Sequence, residues 1–330
     1  MPRGIYATGD NMPELSRRFI SIAIGAVAIV GTLFAVSGAR AQGTITDPST
    51  SFSVGIGPNG ELFDSGTYVG FLRLSDGYDP LAPGDPRDSW GVETSGGSAY
   101  ADYQDYGTSN LTGTTQTIGA SSATSVTTTS VGVTVSQSYS FVQPNVLEVT
   151  DTITNVTSAP LNNVVFQRDV DWDVTPTEFN ENSFGNPIAG NVHDSSYYGF
   201  EYPDPSSPYG SSCAAGCNVT GDLGGGINVR LLNLAPGGSD TVTFFYGISS
   251  DGEDVNGLIS DIEADGANYW IATQSSENGA YPLLGANSAI IGVEATAAIP
   301  ESSTWAMMLV GFAGLGLFGY RRARPAVSTA

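Results

Sequence analysis

The strongest constraint in this sequence is a two-residue alternation of apolar and hydroxyl side chains. Val131, Val133, Val135, Tyr139 and Phe141 are separated by Gly, Thr, Ser and Gln. Successive side chains of an extended strand point to opposite faces, so this spacing sends one face to a core and the other to water. The pattern resumes at Leu147, Val149 and Ile153 after Gln143-Pro144-Asn145, and at Val164, Phe166 and Val170 after Ala159-Pro160-Leu161. It appears again at Val242, Phe244 and Tyr246 after Pro236-Gly237-Gly238. Pro, Gly and Asn clusters turn the chain between such runs. The fold class they predict is all-β, an antiparallel β-sandwich over residues 42–298. A final strand is expected at Ala289–Glu294. One helix interrupts the pattern near 251–265, where Val255, Leu258, Ile259 and Ile262 form a single apolar stripe. Ser250 or Asp251 is the expected cap at its start, and Gly266 suits its end.

Between Thr108 and Ser140, 18 of 33 residues are Ser or Thr, with no proline. Regular valines in this stretch favour a pair of exposed strands with a hydroxylated outer face over a disordered stalk. Charge is scarce and one-sided. The chain has no lysine, and residues 42–300 hold four arginines against 30 acids, a net charge of −26. Phosphate contacts need cations, so nucleic acid is excluded as a partner through a basic face. An anionic membrane surface is disfavoured for the same reason.

The remaining arginines lie at the two ends. Arg17 and Arg18 precede an apolar stretch, Phe19 to Val36, and Ala39-Arg40-Ala41 then offers a small-x-small cleavage pattern. Residues 1–41 read as a secretory signal peptide cut between Ala41 and Gln42, with an uncleaved anchor as the alternative. A second apolar run, Trp305 to Tyr320, is followed by Arg321, Arg322 and Arg324. Sixteen helical residues cover ~24 Å, short for a bilayer core but usable with snorkelling arginines. A transmembrane helix is therefore expected at 305–320, with the basic end on the cytoplasmic side; a buried core helix is the poorer alternative.

The segment 299–325 resembles the PEP-CTERM sorting signal. It contains Pro300-Glu301, a short spacer, Trp305-Ala306-Met307-Met308, a glycine-rich apolar span and Arg321-Arg322, with Ser302 where the family has a second proline. The resemblance implies export, transient membrane insertion through the C-terminal helix, and processing by an exosortase. Family members occur in Gram-negative bacteria that make exopolysaccharide, and end at the cell surface or in the biofilm matrix. A second resemblance covers Asn145 to Ile248. Thr152-Ile153-Thr154-Asn155, Ala159-Pro160-Leu161 and Leu234-Ala235-Pro236-Gly237-Gly238-Ser239 are similar to phrases in immunoglobulin-like domains of bacterial surface proteins. It implies an immunoglobulin-like sandwich; a larger supersandwich over 42–296 is equally compatible.

Asp169-Val170-Asp171-Trp172-Asp173 is the most distinctive local feature. On a strand its three acids share a face, and crowded carboxylates repel unless a cation or hydrogen bonds compensate them. An all-oxygen cluster suits Ca²⁺, with Thr175, Thr177 and Glu178 or Glu181 as further ligands. The commoner arrangement is an exposed acidic strand end with Val170 and Trp172 packed inward. Catalytic carboxylates are the least supported option, because nothing picks out a partner acid. His193 reads as a solvated loop residue, and the histidine count is too low for a typical zinc site. Cys213 and Cys217 read as a short-loop disulfide in an oxidising compartment. The aromatics of Tyr197–Tyr209 read as loop packing or as a sugar-stacking surface.

These features predict an exported surface or extracellular-matrix protein without catalytic activity, inserted in the membrane as a precursor and associated with exopolysaccharide. A calcium-dependent carbohydrate-binding protein and a secreted glycan-active enzyme are the alternatives.

Overall fold

The computed structural model describes residues 41–276 and 286–296. The expected signal segment up to Arg40 and the expected sorting segment, with Pro300, Glu301, Trp305, Arg321 and Arg322, lie outside these residues. Among the described residues no helix is long and apolar enough to cross a membrane.

The strands run in chain order as β1 (Gly43–Thr46), β2 (Phe52–Ile56), β3 (Phe71–Arg73), β4 (Asp88–Thr94), β5 (Gly97–Asp102), β6 (Thr108–Ser109), β7 (Leu111–Ile118), β8 (Ser122–Thr129) and β9 (Val133–Gln143). They continue as β10 (Val146–Asn155), β11 (Val165–Asp171), β12 (Glu181–Pro187), β13 (Val192–Ser196), β14 (Ala215–Gly221), β15 (Gly224–Arg230) and β16 (Ser239–Ile248). Helix α1 (Val255–Ala264), β17 (Tyr269–Gln274) and β18 (Ser288–Val293) follow. They form a nine-stranded sheet, β14-β12-β17-β18-β16-β10-β9-β8-β7, a six-stranded sheet, β13-β15-β11-β4-β5-β6, and a three-stranded sheet, β1-β2-β3. Every described pairing is antiparallel. The expected all-β class and its short helix are both present.

The alternating residues of β9, β10 and β16 send Val135, Tyr139, Val149, Ile153, Phe244 and Tyr246 into one continuous core with Trp90, Phe166 and Val170 of the six-stranded sheet. Phe166 meets Phe244 at 6.2 Å between ring centroids, and Trp172 meets Tyr246 at 6.3 Å. Face-to-face packing of two antiparallel sheets through alternate side chains is the arrangement of a β-sandwich. One charged group is enclosed with these rings. The fully buried Arg168 of β11 donates from Nε to Asp151 Oδ2 at 2.9 Å and from Nη2 to Asp151 Oδ1 at 3.2 Å. Asp88 Oδ2 stands 3.6 Å from its Nη1. Asp88 in turn accepts from the Leu62 amide at 2.7 Å and from the Tyr246 hydroxyl at 3.0 Å.

The outer face of the nine-stranded sheet is divided. Toward β17, it carries Phe184, Phe245, Ala272 and Ile290, which α1 covers with Val255, Leu258 and Ile262. The cap at the start of α1 is Asp254, not Ser250 or Asp251: its carboxylate accepts from the amides of Asn256 and Gly257. Gly252, at φ +76°, turns the chain between the two expected caps and the helix, which moves the start downstream. Toward β7, the same face is bare and hydroxylated. Register places Thr117, Thr124, Ser138, Thr150 and Thr243 side by side across five strands. A second row runs Thr115, Val126, Ser136, Thr152 and Thr241. The expected hydroxylated strand pair is thus one end of a broader lattice.

The segment between β2 and β3 threads toward the core. Gly60 O accepts from Tyr139 Oη at 2.6 Å, and Asn59 O accepts from Trp90 Nε1 at 2.9 Å. Gly60 has φ +91°, and a Cβ there would sit 1.9 Å from Gln137 Oε1. Gly60→Ala is expected to cost at least about 2 kcal/mol through strain and overlap together, read as a lower urea midpoint at unchanged slope.

Candidate functional site: a buried acidic corner

The acidic run sits where β11 ends. Gln167, Asp169 and Asp171 face away from the inter-sheet core, and that outer face is covered by the segment between β13 and β14. Gln167 Nε2 donates to Tyr202 O at 3.2 Å, and a Cβ on Gly91 would meet Pro203 O at 2.0 Å. Asp169, Asp171 and Asp173 are 0%, 3% and 2% exposed. The expected exposed acidic strand end is therefore overturned: this cover lies over Asp169 and Asp171, and Asp173 packs beside Pro80, Gly84 and Phe179. Val170 and Trp172 do pack inward, as expected. The aromatic segment itself packs largely as part of the body, with Tyr209 and Glu201 buried, while Tyr198 and Tyr202 remain 39% exposed.

The three acids do not act as one group. Asp169 turns to Arg87, which is fully buried and lies 3.4 Å away at Nη1. Arg87 is anchored more tightly by Asp102, with Nη2 at 2.8 Å and Nε at 3.1 Å from Oδ2. It also donates to the carbonyls of Gly199 and Glu201, which ties the covering segment down. Asp171 and Asp173 group instead with Asp222, their ligand oxygens lying within 4.8 Å of one another. Asp222 is exposed and occupies the turn between β14 and β15, where the chain passes from the nine-stranded to the six-stranded sheet. Gly224 faces Asp171 in register, and a Cβ on it would lie 2.0 Å from Val170 O and 2.9 Å from Asp171 Cα. Only glycine allows so close an approach, and it brings the Asp222 turn against the end of β11.

Glu181 completes the corner. It begins β12, pairs with Gly221 beside the same turn, and is fully buried. Neither of its carboxylate oxygens has a hydrogen-bond partner of full geometry, nor does Asp171 Oδ1 or Asp173 Oδ1. The acids suppress one another's ionisation. Burial, then Asp173 and Asp222, hold the Asp171 carboxyl well above its usual range. Burial, then Asp222, Glu178 and Asp85, push Asp173 up to about 7. Burial drives Glu181 to about 8, with Asp173 and Asp222 adding to the rise and the amides of Glu181 and Phe179 opposing it. Such a set either keeps protons at neutral pH or takes up a cation, and oxygen-only donors suit a hard one.

Of the residues read from sequence as further ligands, Glu181 borders the corner. Glu178 contributes its charge to Asp173. Thr175 and Thr177 are engaged elsewhere: Thr175 accepts from Asn287 Nδ2, and Thr177 Oγ1 from the Ser276 amide. Asp222 was missed, since its partners lie in β11 and no local pattern marks a lone acid in a turn. His193 lies on β13 and not in a loop; it is exposed, with Arg230 Nη2 at 3.1 Å from Nδ1. Cys213 and Cys217 form a disulfide at the edge of β14. The sequence matches no protein-family model and no curated protein.

Proposed function

We propose that the protein is an exported, non-catalytic component of a cell surface or extracellular matrix, sorted by an exosortase and associated with exopolysaccharide. The observation that carries this reading is the hydroxyl lattice over β7, β8, β9, β10 and β16. Threonine side chains are stiff at χ1, so their hydroxyls are held in rows at little entropic cost. Thr112 and Thr128 lie 2.8 Å apart, and Thr152 and Thr241 3.1 Å apart, as ordered hydroxyl pairs. A polysaccharide offers a matching periodic array of hydroxyls and carries no requirement for cationic partners. The widths of nine and six strands favour the larger supersandwich over an immunoglobulin-like domain. The sequence of the two ends supports export and sorting.

Two measurements test the reading. Mass spectrometry of the protein from the extracellular fraction should find a chain beginning at Gln42 and lacking Trp305–Ala330; an intact chain confined to the cytoplasm would overturn it. Co-sedimentation with the producing cell's own exopolysaccharide should retain the protein. Thr124→Lys, in the middle of the lattice, should weaken retention about tenfold, or ~1.4 kcal/mol. Equal retention of both forms would remove the lattice from the account.

A calcium-dependent carbohydrate-binding protein is the second reading, favoured by two exposed rings at the acidic corner. Phe179 is 54% exposed, and a Cβ on Gly84 would touch both its ring, at 2.7 Å, and Asp173 Oδ2, at 3.0 Å. Tyr198 lies close enough to Asp222 and Asp171 for their charges to raise its pKa, after burial. A ring beside a cation can stack on a sugar whose hydroxyls complete the coordination.

A further inference from the structure

We infer that Asp171, Asp173 and Asp222 form a binding site for a single divalent cation of the calcium class, with Glu181 as a supporting carboxylate. Three observations carry it. The first is geometric: three carboxylates from two separate parts of the chain place their oxygens within 4.8 Å of one another. An ion with Ca–O distances of about 2.3–2.6 Å fits between oxygens so spaced. The second is the state of the oxygens. Asp171 Oδ1 and Asp173 Oδ1 are buried without a hydrogen-bond donor. Glu181 is fully buried beside them, with the Phe179 amide and its own amide as the donors near its carboxylate. Buried polar atoms are ordinarily paired, and unpaired charged ones are the costliest exceptions. The third is the lack of a competing cation among the described residues. Arg87 is the guanidinium whose charge reaches Asp171, and it is held by Asp102, Asp169 and two carbonyls.

The site opens to solvent at Asp222, which gives an ion a way in and leaves room for water ligands. Calcium accepts such irregular, partly hydrated sites, whereas magnesium demands near-octahedral geometry and gives up water reluctantly. The role is structural in the first instance. Asp222 belongs to the turn that joins the two large sheets, so the ion would cross-link that turn to the end of β11 and to the start of β12. A cation site here stands apart from the export reading: it concerns folding and metal affinity, and sorting or matrix binding can fail without touching it.

The test uses the purified full chain, stripped with EDTA and returned to chelator-free buffer near pH 7.5. Calcium chloride alone is the probe, followed by isothermal titration calorimetry and by the melting temperature. A saturable one-to-one isotherm is expected, and a rise in melting temperature of about 5–10 °C at a hundredfold excess over Kd. Magnesium chloride should give a weaker isotherm and a smaller rise. Asp222→Asn, at an exposed position, should leave the metal-free melting temperature nearly unchanged and loosen calcium binding about tenfold or more. Asp173→Asn should loosen it comparably; if that variant does not fold, Asp222→Asn decides alone. Asp240→Asn, which removes an acid outside the corner, should bind as the parent does. No isotherm with either ion up to millimolar concentrations overturns the inference. So does an equal response in Asp222→Asn, which would mark general charge screening.

Discussion

Replacing Arg168 with leucine is expected to cost about 3–5 kcal/mol, because it leaves Asp151 and Asp88 buried without their cation. For a body of this size that corresponds to a fall of roughly 10–15 °C in melting temperature, measured by calorimetry. The residue is fully buried between the two large sheets, donates twice to Asp151 and lies 3.6 Å from Asp88. Arg168→Lys should recover only part of the loss, since one ammonium cannot reproduce the Nε and Nη2 pair. The informative variant removes the charges together. Arg168→Leu combined with Asp151→Leu and Asp88→Asn should recover most of the stability, because the cost of the single change lies in the stranded carboxylates rather than in the missing attraction. A single Arg168→Leu change within 1 kcal/mol of the parent would show that water reaches the network and that the inter-sheet space is not sealed.

The second large effect is a loss of stability as pH rises, in calcium-free buffer. Burial raises Asp88 from 3.8 to about 7, against the lowering by Arg168, and burial raises Asp102 from 3.8 to about 6, against the lowering by Arg87. One arginine faces two acids in the first network, and its hydrogen bonds go to Asp151 and to the Tyr246 hydroxyl, so Asp88 is the group left to keep its proton. A carboxyl with a raised folded pKa binds more protons folded than unfolded between the two values. Stability therefore falls as pH climbs through that window, from about 4 to about 7 for Asp88 and on to about 8 for Glu181. Groups with lowered values, Asp47 and Asp76, act only below about 4 and do not oppose this. The chain should thus be more stable near pH 5 than near pH 8, by a few kcal/mol. The raised carboxyls of the acidic corner, Asp171, Asp173 and Glu181, add to the same slope. Asp88→Asn should therefore remove one share of it, read as a measurably shallower dependence of the urea midpoints across that range. A flat profile in the parent, or an unchanged slope in the variant, would refute the assignment to Asp88.

The strands were legible because their signal is local. Val133, Val135 and Tyr139 alternate with hydroxyl residues within one segment, and Pro236-Gly237-Gly238 turns the chain without help from anything distant. The helix was legible from its stripe, but its cap was not: Ser250, Asp251 and Asp254 are all chemically able to cap, and the turn at Gly252 decides among them. The acidic run was legible as unusual, and its fate was not. Whether Asp169 and Asp171 face water depends on a covering segment that begins beyond Ser196, and the burial of Asp173 depends on Gly84 and Phe179. Their division depends on Arg87, which takes Asp169, and on Asp222, which joins the other two.

The sequence by itself determined the class of the fold, the hydroxylated outer strands and the acidity of the body, because period, turn chemistry and charge are properties of neighbouring residues. The tertiary structure alone decided that five strands share one hydroxyl lattice, that two arginines lie buried among carboxylates, and that an exposed turn residue completes an acidic corner. Those outcomes depend on strand order and on which faces become covered. Electrostatic energy in a protein is set by distance and burial, and neither is written in the spacing of residues along a chain.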